Sequence, residues 1–275
     1  MSTTHGVLLP LAILAGLLST AHATSIYSTD FTSGSYADGS INGQDGWAAA
    51  GGGTVISGTG VTSDGYENIV QSASSPASMV AVGETYTSSV TFTYDDNSAG
   101  VGNGPHYGAA IYSGTDPSDS QLNMLVRRTG DSYRLTLSSD WGGSYGGFGF
   151  NQSPTFADTT LGFDHDMSDP NSDVLTMSLS LTAGADTDSW TAVGTLYNET
   201  TMSQVYQVTL NDIPFDAAAG STVYGGFGGG QSDNNQTIAN RTASAYSFSS
   251  TVSEVPEPST SIILLSIGLA LAHRR

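Results

Sequence analysis

The sequence contains no cysteine, so the chain forms no disulfide bond and offers no thiol nucleophile or cysteine ligand for zinc. Basic residues are scarce as well. Six Lys and Arg stand against 25 Asp and Glu, which gives a formal net charge of −19 and an isoelectric point near 4.1. Because a field of this sign repels phosphate backbones, we expect no nucleic-acid partner.

Long solvated helices are also disfavoured, because charged residues make up only 11% of the chain while glycine reaches 34 copies. No stretch between the two ends of the chain shows a sustained apolar period of 3.6 residues. Strand-like runs instead alternate with clusters of Gly, Asn, Asp and Ser, which are typical turn residues. This pattern indicates an all-β domain of about a dozen strands.

The clearest strand runs from Asp173 to Thr182, where Leu and Met alternate with Ser and Thr. Short connections at 129–131 and 198–203 join neighbouring runs and predict hairpins, hence antiparallel pairing. Half-buried strands in this number close best as two packed sheets. We therefore predict an antiparallel two-sheet jelly-roll sandwich, with the chain divided into segments 1–23, 24–250, 251–258 and 259–275.

The N-terminal segment has the order of a secretory signal peptide. An apolar run at residues 6–18 precedes the small-residue triplet Ala21-His22-Ala23. The run is too short to span a bilayer, and the A-x-A spacing predicts cleavage by signal peptidase after Ala23. An uncleaved anchor is the alternative, because His5 and the terminal amine stand where Lys or Arg is usual.

The C-terminal segment combines a proline-bounded motif, an apolar stretch and two terminal arginines. The apolar stretch at residues 259–272 predicts a short helix of 14 residues, fewer than the roughly 20 that span the hydrocarbon core comfortably. The positive-inside rule keeps the arginines cytoplasmic and the large domain outside. The motif residues are Val255, Pro256, Glu257 and Pro258, and the terminal pair is Arg274 and Arg275.

In these three parts the last 21 or so residues resemble the PEP-CTERM sorting tail of bacterial exported proteins. The resemblance implies an exosortase-type protease as partner, recognition through Pro256, Glu257 and Pro258, and retention in the cell membrane through residues 259–272. The expected location is the outer surface or extracellular matrix of a bacterium. A permanent membrane anchor that is never removed is the alternative.

Residues 24–250 are similar to concanavalin-like and laminin-G-like sandwiches. The resemblance lies in Asp30-Phe31, in the segment from Tyr36 to Gly39, in the segment from Asn42 to Trp47, and in the run at 172–198. It implies a jelly roll of two curved sheets whose concave face or loop edge binds glycans in many members, in some with calcium.

An acid-rich loop is a candidate calcium site, since calcium collects six to eight oxygen ligands. The loop departs from the helix-loop-helix calcium pattern, because an acid occupies the position of the turn glycine. A solvated loop is the alternative. The candidate ligands are Asp164, Asp166, Asp169 and Asp173.

Aromatic residues near glycine-rich loops are candidates for stacking on sugar rings. Trp141 and Tyr145 come first, followed by Trp47; core packing is the alternative for each.

No catalytic constellation emerges. The string at 142–146 matches G-x-S-x-G but lacks the strand-turn-helix context of a nucleophile elbow. Glu67, Glu84 and Glu199 show no paired spacing suited to a glycosidase.

We therefore expect a non-catalytic surface or matrix protein that is a candidate for glycan binding. A carbohydrate-active enzyme on the same fold is the first alternative. An ice-contacting adhesin is the second, although only fragments of a threonine array, such as Thr91 and Thr93, are visible in the sequence.

Overall fold

A computed structural model describes residues 22–51, 53–63, 67–71, 78–94, 103–116, 121–129, 132–138, 155–157, 173–230 and 241–252. One compact unit spans Ala23–Val252. The described residues contain strands and turns but no helix, and hence no helix long and apolar enough to cross a membrane. The all-β prediction is confirmed.

Nine of the strands form the first sheet, in the order β15-β14-β13-β8-β17-β5-β4-β2, with β1 also paired to β17. These strands are β1 (His22–Asp30), β2 (Gly39–Ser40), β4 (Thr54–Ile56), β5 (Gly60–Ser63), β8 (Thr85–Tyr94), β13 (Val174–Thr182), β14 (Trp190–Asn198), β15 (Ser203–Ile213) and β17 (Arg241–Val252).

Eight strands form the second sheet, in the order β12-β11-β10-β9-β16-β6-β3, with β7 also paired to β16. They are β3 (Trp47–Gly51), β6 (Glu67–Gln71), β7 (Ser78–Met79), β9 (Asn103–Tyr112), β10 (Gln121–Thr129), β11 (Ser132–Ser138), β12 (Thr155–Ala157) and β16 (Thr222–Gly230). The predicted hairpins are present, since Thr129 pairs with Ser132 and Asn198 pairs with Ser203 in antiparallel register.

The core lies between the inner faces of the two sheets. Along β13 the residues alternate between buried and partly exposed, as the period of two in its sequence predicts. Leu175, Met177, Leu179 and Leu181 are fully buried in the main apolar cluster. The Ser and Thr residues between them therefore lie on the outer face of the nine-stranded sheet.

Two glycines permit close approach of the sheets. A Cβ at Gly194 of β14 would lie 2.0 Å from the terminal methyl of Met124 in β10. A Cβ at Gly225 of β16 would lie 2.0 Å from the Tyr246 hydroxyl oxygen and 2.6 Å from the ring of Phe248 in β17. Large side chains of one sheet thus pack directly on the bare backbone of the other.

Candidate functional site

A groove of about 600 Å³ opens on the outer face of the nine-stranded sheet. It lies where β1, β17, β8 and β13 meet the turn that follows β14. Most of the residues that line it carry a hydroxyl or a carboxylate group; they are Ser28, Thr29, Asp30, Ser89, Thr91, Thr176, Glu199, Ala245, Tyr246 and Ser247.

The hydroxyl lining belongs to a longer feature, which we call the hydroxyl ladder. Strands β8 and β13 pair over nine consecutive residues without a register shift, so each outward Ser or Thr of β8 from Thr85 to Thr91 faces a Ser or Thr of β13. Four facing pairs form side-chain hydrogen bonds of 2.7–2.9 Å. The pairs are Thr85 with Thr182, Thr87 with Ser180, Ser89 with Ser178, and Thr91 with Thr176.

The last pair of the ladder ends on a carboxylate. Thr176 Oγ1 donates to Glu199 Oε1 at 2.6 Å. A hydroxyl has one proton, so Thr176 accepts from Thr91 Oγ1, which lies 2.9 Å away. The geometry therefore gives a directed chain from Thr91 through Thr176 to Glu199. This chain orients the carboxylate and leaves Oε2 available to a donor in the groove.

The position of Glu199 is held by the turn between β14 and β15. Asn198, which is fully buried, donates from Nδ2 to Asp173 Oδ2 at 2.8 Å. Its Oδ1 accepts the backbone N–H groups of Thr200 and Thr201 at 2.9 and 3.1 Å. The backbone N–H of Glu199 itself donates to the Val174 carbonyl at 2.8 Å. Bonds on both sides of Glu199 thus fix its backbone at the rim of the groove.

The second carboxylate belongs to Asp30, the last residue of β1. Its Oδ1 accepts from the Thr32 hydroxyl at 2.6 Å and from the Thr32 backbone N–H at 2.8 Å. These bonds favour the ionised form, and they lower the pKa of Asp30 below its ordinary value of 3.8. By contrast, burial raises the pKa of Tyr246, whose hydroxyl lies 3.0 Å from Ser88 Oγ. The groove therefore carries the Asp30 charge at neutral pH, while Tyr246 stays neutral.

A cluster around the hydroxyl of Tyr36 anchors β1 next to the groove. Tyr36 Oη lies 2.9 Å from Thr29 Oγ1 and donates to Asp45 Oδ2 at 3.1 Å. Tyr27 also donates to Asp45, at 2.5 Å, and Trp47 Nε1 donates to Tyr36 Oη at 3.3 Å. This cluster ties the segment from Tyr36 to Trp47 to the strand that presents Asp30.

Trp47, predicted as a sugar-stacking residue, is instead a core residue. Its side chain is only 2% exposed. Rings of Tyr246, Phe227 and Phe31 lie 5.1, 5.3 and 5.7 Å from its own and occupy its surroundings. Because these contacts leave no open ring face, the prediction for Trp47 is wrong. Trp141 and Tyr145 lie outside the described residues.

Of the four predicted calcium ligands, the structure describes only Asp173. Asp173 is 8% exposed and accepts from Asn198, so it has a structural role in the turn that carries Glu199. Asp164, Asp166 and Asp169 lie outside the described residues. Within the described ranges, no three His, Cys, Asp or Glu residues cluster in a way that could hold a metal ion.

Of the residues predicted to take part in signal cleavage and sorting, the structure describes only Ala23. Ala23 lies near the start of β1 and is exposed. Ala21, the motif from Val255 to Pro258 and the arginines Arg274 and Arg275 lie outside the described residues.

Sequence reasoning missed both carboxylates of the groove. Asp30 entered only as part of a resemblance, and Glu199 only as a glutamate without a partner of suitable spacing. The alternation in β8 and β13 did reveal the outward hydroxyls. What it did not reveal is that the two strands are neighbours, because more than 80 residues of sequence separate each bonded pair.

No protein-family model matches the sequence, and no curated protein matches it. Solved structures do match by fold. Peanut lectin with a bound nine-residue peptide superposes with a TM-score of 0.50 at 11% identity, covering 84% of this chain and 99% of the lectin. Lectin II from Ulex europaeus gives a TM-score of 0.50 at 13% identity, covering 83% of this chain and all 100% of the lectin. The chain thus has the two-sheet jelly-roll fold of these lectins, as the concanavalin-like prediction expected.

Proposed function

We propose that this protein is an exported, non-catalytic β-sandwich that binds glycan in the groove containing Asp30 and Glu199. The observation that carries the proposal is the chemistry of the lining. Carboxylates accept strong hydrogen bonds from sugar hydroxyls, and the ladder hydroxyls both donate and accept. A polyhydroxylated ligand satisfies this set of groups without needing a charge of its own. The lectin names of its fold neighbours are consistent with the proposal.

Asp30 is unsuited to be the proton-donating acid of a glycosidase. A glycosidase needs one carboxyl group whose pKa is raised, so that it can protonate the leaving oxygen. The pKa of Asp30 is instead lowered by its bonds to Thr32. A carbohydrate-active enzyme on this fold stays the alternative. Release of reducing sugar from a polysaccharide, lost on replacing one carboxylate, would establish it.

The test of the binding site is the substitution Glu199→Gln. The amide oxygen of Gln can still accept from Thr176, so the turn is expected to keep its geometry, while the charge available to a sugar hydroxyl is lost. We expect affinity for a glycan identified on an immobilised glycan panel to fall about tenfold, because hydrogen bonds to charged groups contribute about 1.5–3 kcal/mol.

The matched control is Asp188→Asn, which removes one charge from an exposed turn away from the groove. Titration calorimetry should show wild-type affinity for this variant. Equal affinity of Glu199→Gln and wild type would place the binding site elsewhere, and failure of the wild type to bind any glycan would reject the proposed function.

For cellular handling, we propose the route that the two ends of the sequence indicate. Signal peptidase removes residues 1–23, and an exosortase-type protease acts near Pro256, Glu257 and Pro258 after residues 259–272 have held the chain in the membrane. Intact mass of the exported protein should show Thr24 as the first residue. Deletion of residues 254–275 should change processing or release. Recovery of a full-length chain from the cytosol would contradict this route.

An ice-contacting surface is a second candidate, and the hydroxyl ladder is the observation that favours it. Thr91, which looked like a fragment in the sequence, belongs to a regular array once β8 and β13 are paired, whereas Thr93 faces Val174. Thermal hysteresis of the purified domain tests this function. A freezing point equal to the melting point would exclude it.

A further inference from the structure

The hydroxyl ladder is part of a wider surface, which we call the hydroxyl grid. It consists of four outward rows that run across β14, β13, β8 and β17 in register. The rows are Thr191-Thr182-Thr85-Thr251, Val193-Ser180-Thr87-Ser249, Thr195-Ser178-Ser89-Ser247 and Tyr197-Thr176-Thr91-Ala245. All but three of these positions are Ser or Thr, and none is charged.

The absence of charge from the grid contrasts with the rest of the molecule. The chain has 25 Asp and Glu and a net charge of −19. The carboxylates Glu199 and Asp30 lie next to the grid, in the groove at its end, and not at the grid positions themselves. A partner that lies on the grid therefore meets hydrogen-bonding groups without meeting a counter-charge. An anionic polymer would be repelled by the net charge of the chain and would find no cation among the described residues of the grid to compensate.

The grid also has a spacing that suits a repeating partner. Outward side chains recur about every 6.6–6.8 Å along a strand and about every 4.7–4.9 Å across strands. From Thr85 to Thr91 the grid thus extends about 20 Å, longer than a single sugar ring needs. In the three bonded pairs other than Thr91 with Thr176, one proton is used within the pair, so the second hydroxyl keeps its proton for an outside acceptor. Individually weak contacts of this kind add up along a polymer, since each further contact is intramolecular.

Resting on the proposed function, we propose that the ligand is an uncharged polysaccharide chain. One sugar occupies the groove at Asp30 and Glu199, and the following sugars lie across the hydroxyl grid. Two properties follow. Affinity increases with the number of sugar units until the grid is covered, and carboxylated or sulfated forms of the same polymer bind more weakly than the neutral form.

The experiment compares polymers that differ only in charge. Affinity electrophoresis of the exported protein is run in gels containing dextran or dextran sulfate, and hydroxyethyl cellulose or carboxymethyl cellulose. For a neutral glycan that binds, oligosaccharides of increasing length are titrated by calorimetry. We expect retardation by neutral polymers alone, and a rise in affinity of about tenfold or more between a disaccharide and a hexasaccharide.

Two variants locate the effect on the grid. Thr87→Asp places a charge inside the grid but outside the groove, and Thr59→Asp places the same charge on an exposed turn outside the grid. We expect Thr87→Asp to weaken hexasaccharide binding about tenfold and Thr59→Asp to leave it unchanged. The double variant Thr87→Ala with Ser180→Ala removes one bonded pair without adding charge, and it should lower hexasaccharide affinity while circular dichroism stays that of the wild type.

The outcomes separate this inference from the proposed function. If Glu199→Gln abolishes disaccharide binding while affinity is independent of glycan length and unaffected by Thr87→Asp, the groove binds glycan and the grid does not. If the charged polymers bind as tightly as the neutral ones, the inference is overturned. If no glycan binds and the domain shows thermal hysteresis, both the proposed function and this inference fail.

Discussion

At the scale of single residues, the Tyr36 hydroxyl lies at the centre of a hydrogen-bonded cluster next to the groove. It donates to Asp45 and accepts from Thr29 and from the buried indole nitrogen of Trp47. Tyr36 itself is 5% exposed, so water cannot easily replace these bonds when the hydroxyl is lost.

Tyr36→Phe is therefore expected to lower the free energy of unfolding by about 1–3 kcal/mol, because it leaves buried donors unpaired. Urea denaturation followed by tryptophan fluorescence measures the change. Tyr197→Phe is the control, since Tyr197 is a partly exposed residue of the outer face, and surface substitutions of this kind cost about 0.5 kcal/mol or less. Equal stability of Tyr36→Phe and wild type would mean that the cluster does not anchor β1.

Asp30 gives a prediction about pH. Its lowered pKa means that the bonds to Thr32 stabilise the fold above pH 3.8, and this stabilisation is lost as pH falls through the lower value of the folded state. A carboxyl carbon titration by NMR should give a midpoint for Asp30 below 3.8, and Thr32→Val should move it upward because the hydroxyl donor is gone. A midpoint at or above 3.8 in the wild type would contradict the hydrogen bonding described here.

The burial of Trp47 depends on contacts that the sequence around it does not reveal. A tryptophan that follows a glycine at the end of a polar stretch, as Trp47 follows Gly46, fits an exposed sugar-stacking residue and a buried core residue equally well. The choice depends on Phe227 and Tyr246, which are distant in sequence but lie within 5.3 Å in the fold. No local pattern around residue 47 contains that information.

At the scale of elements, alternation along the sequence predicted strands well. The run from Asp173 to Thr182 predicted β13 with its inward and outward faces correct, and both hairpins came from short turn-rich connections. The groove was beyond this reasoning, because it depends on which strands become neighbours. Glu199 meets Thr176 only because β13 lies between β8 and β14.

Strand β5 illustrates a backbone requirement at this scale. Gly60 has a φ of +134°, and a Cβ there would lie 2.3 Å from the carbonyl oxygen of Ala243 in the paired strand β17. Gly58, two residues earlier, has a φ of +76° but open space around the position of a Cβ. A residue with a side chain would have a strained backbone at either position. At Gly60 its Cβ would also collide with the backbone of β17.

Gly60→Ala is accordingly expected to destabilise the protein by about 1–3 kcal/mol more than Gly58→Ala, because overpacking is added to strain. Urea denaturation of the two variants measures the difference directly. An equal decrease in the free energy of unfolding for the two variants would show that β5 can shift away from β17 without loss of stability.

At the scale of the whole molecule, the net charge of −19 acts against the compact state through self-repulsion. Raising NaCl from about 0.01 M to 0.15 M shortens the Debye length from about 30 Å to about 8 Å. We expect the thermal unfolding midpoint to rise over this range. A fall in the midpoint would show that attractive charge pairs outweigh the repulsion.

The same measurement tests the calcium prediction. Calcium chloride and magnesium chloride at equal ionic strength screen alike, so a higher midpoint in calcium alone would support a site at Asp164, Asp166, Asp169 and Asp173. Identical midpoints would count against that site. Asp173→Asn is not a suitable variant for testing the calcium site. Asp173 also accepts a hydrogen bond from Asn198, so its substitution would disturb the turn whether or not calcium binds.

Strand β17 is the last described strand of the chain and yet lies inside a sheet. It pairs with β8 on one edge, while its other edge is shared by β5 and β1. These partners precede it by 140 residues or more, so the nine-stranded sheet cannot close until nearly the whole polypeptide has been delivered. If the chain is exported by the proposed route, this strand order would keep the sheet incomplete, and the chain threadable, until β17 has crossed the membrane.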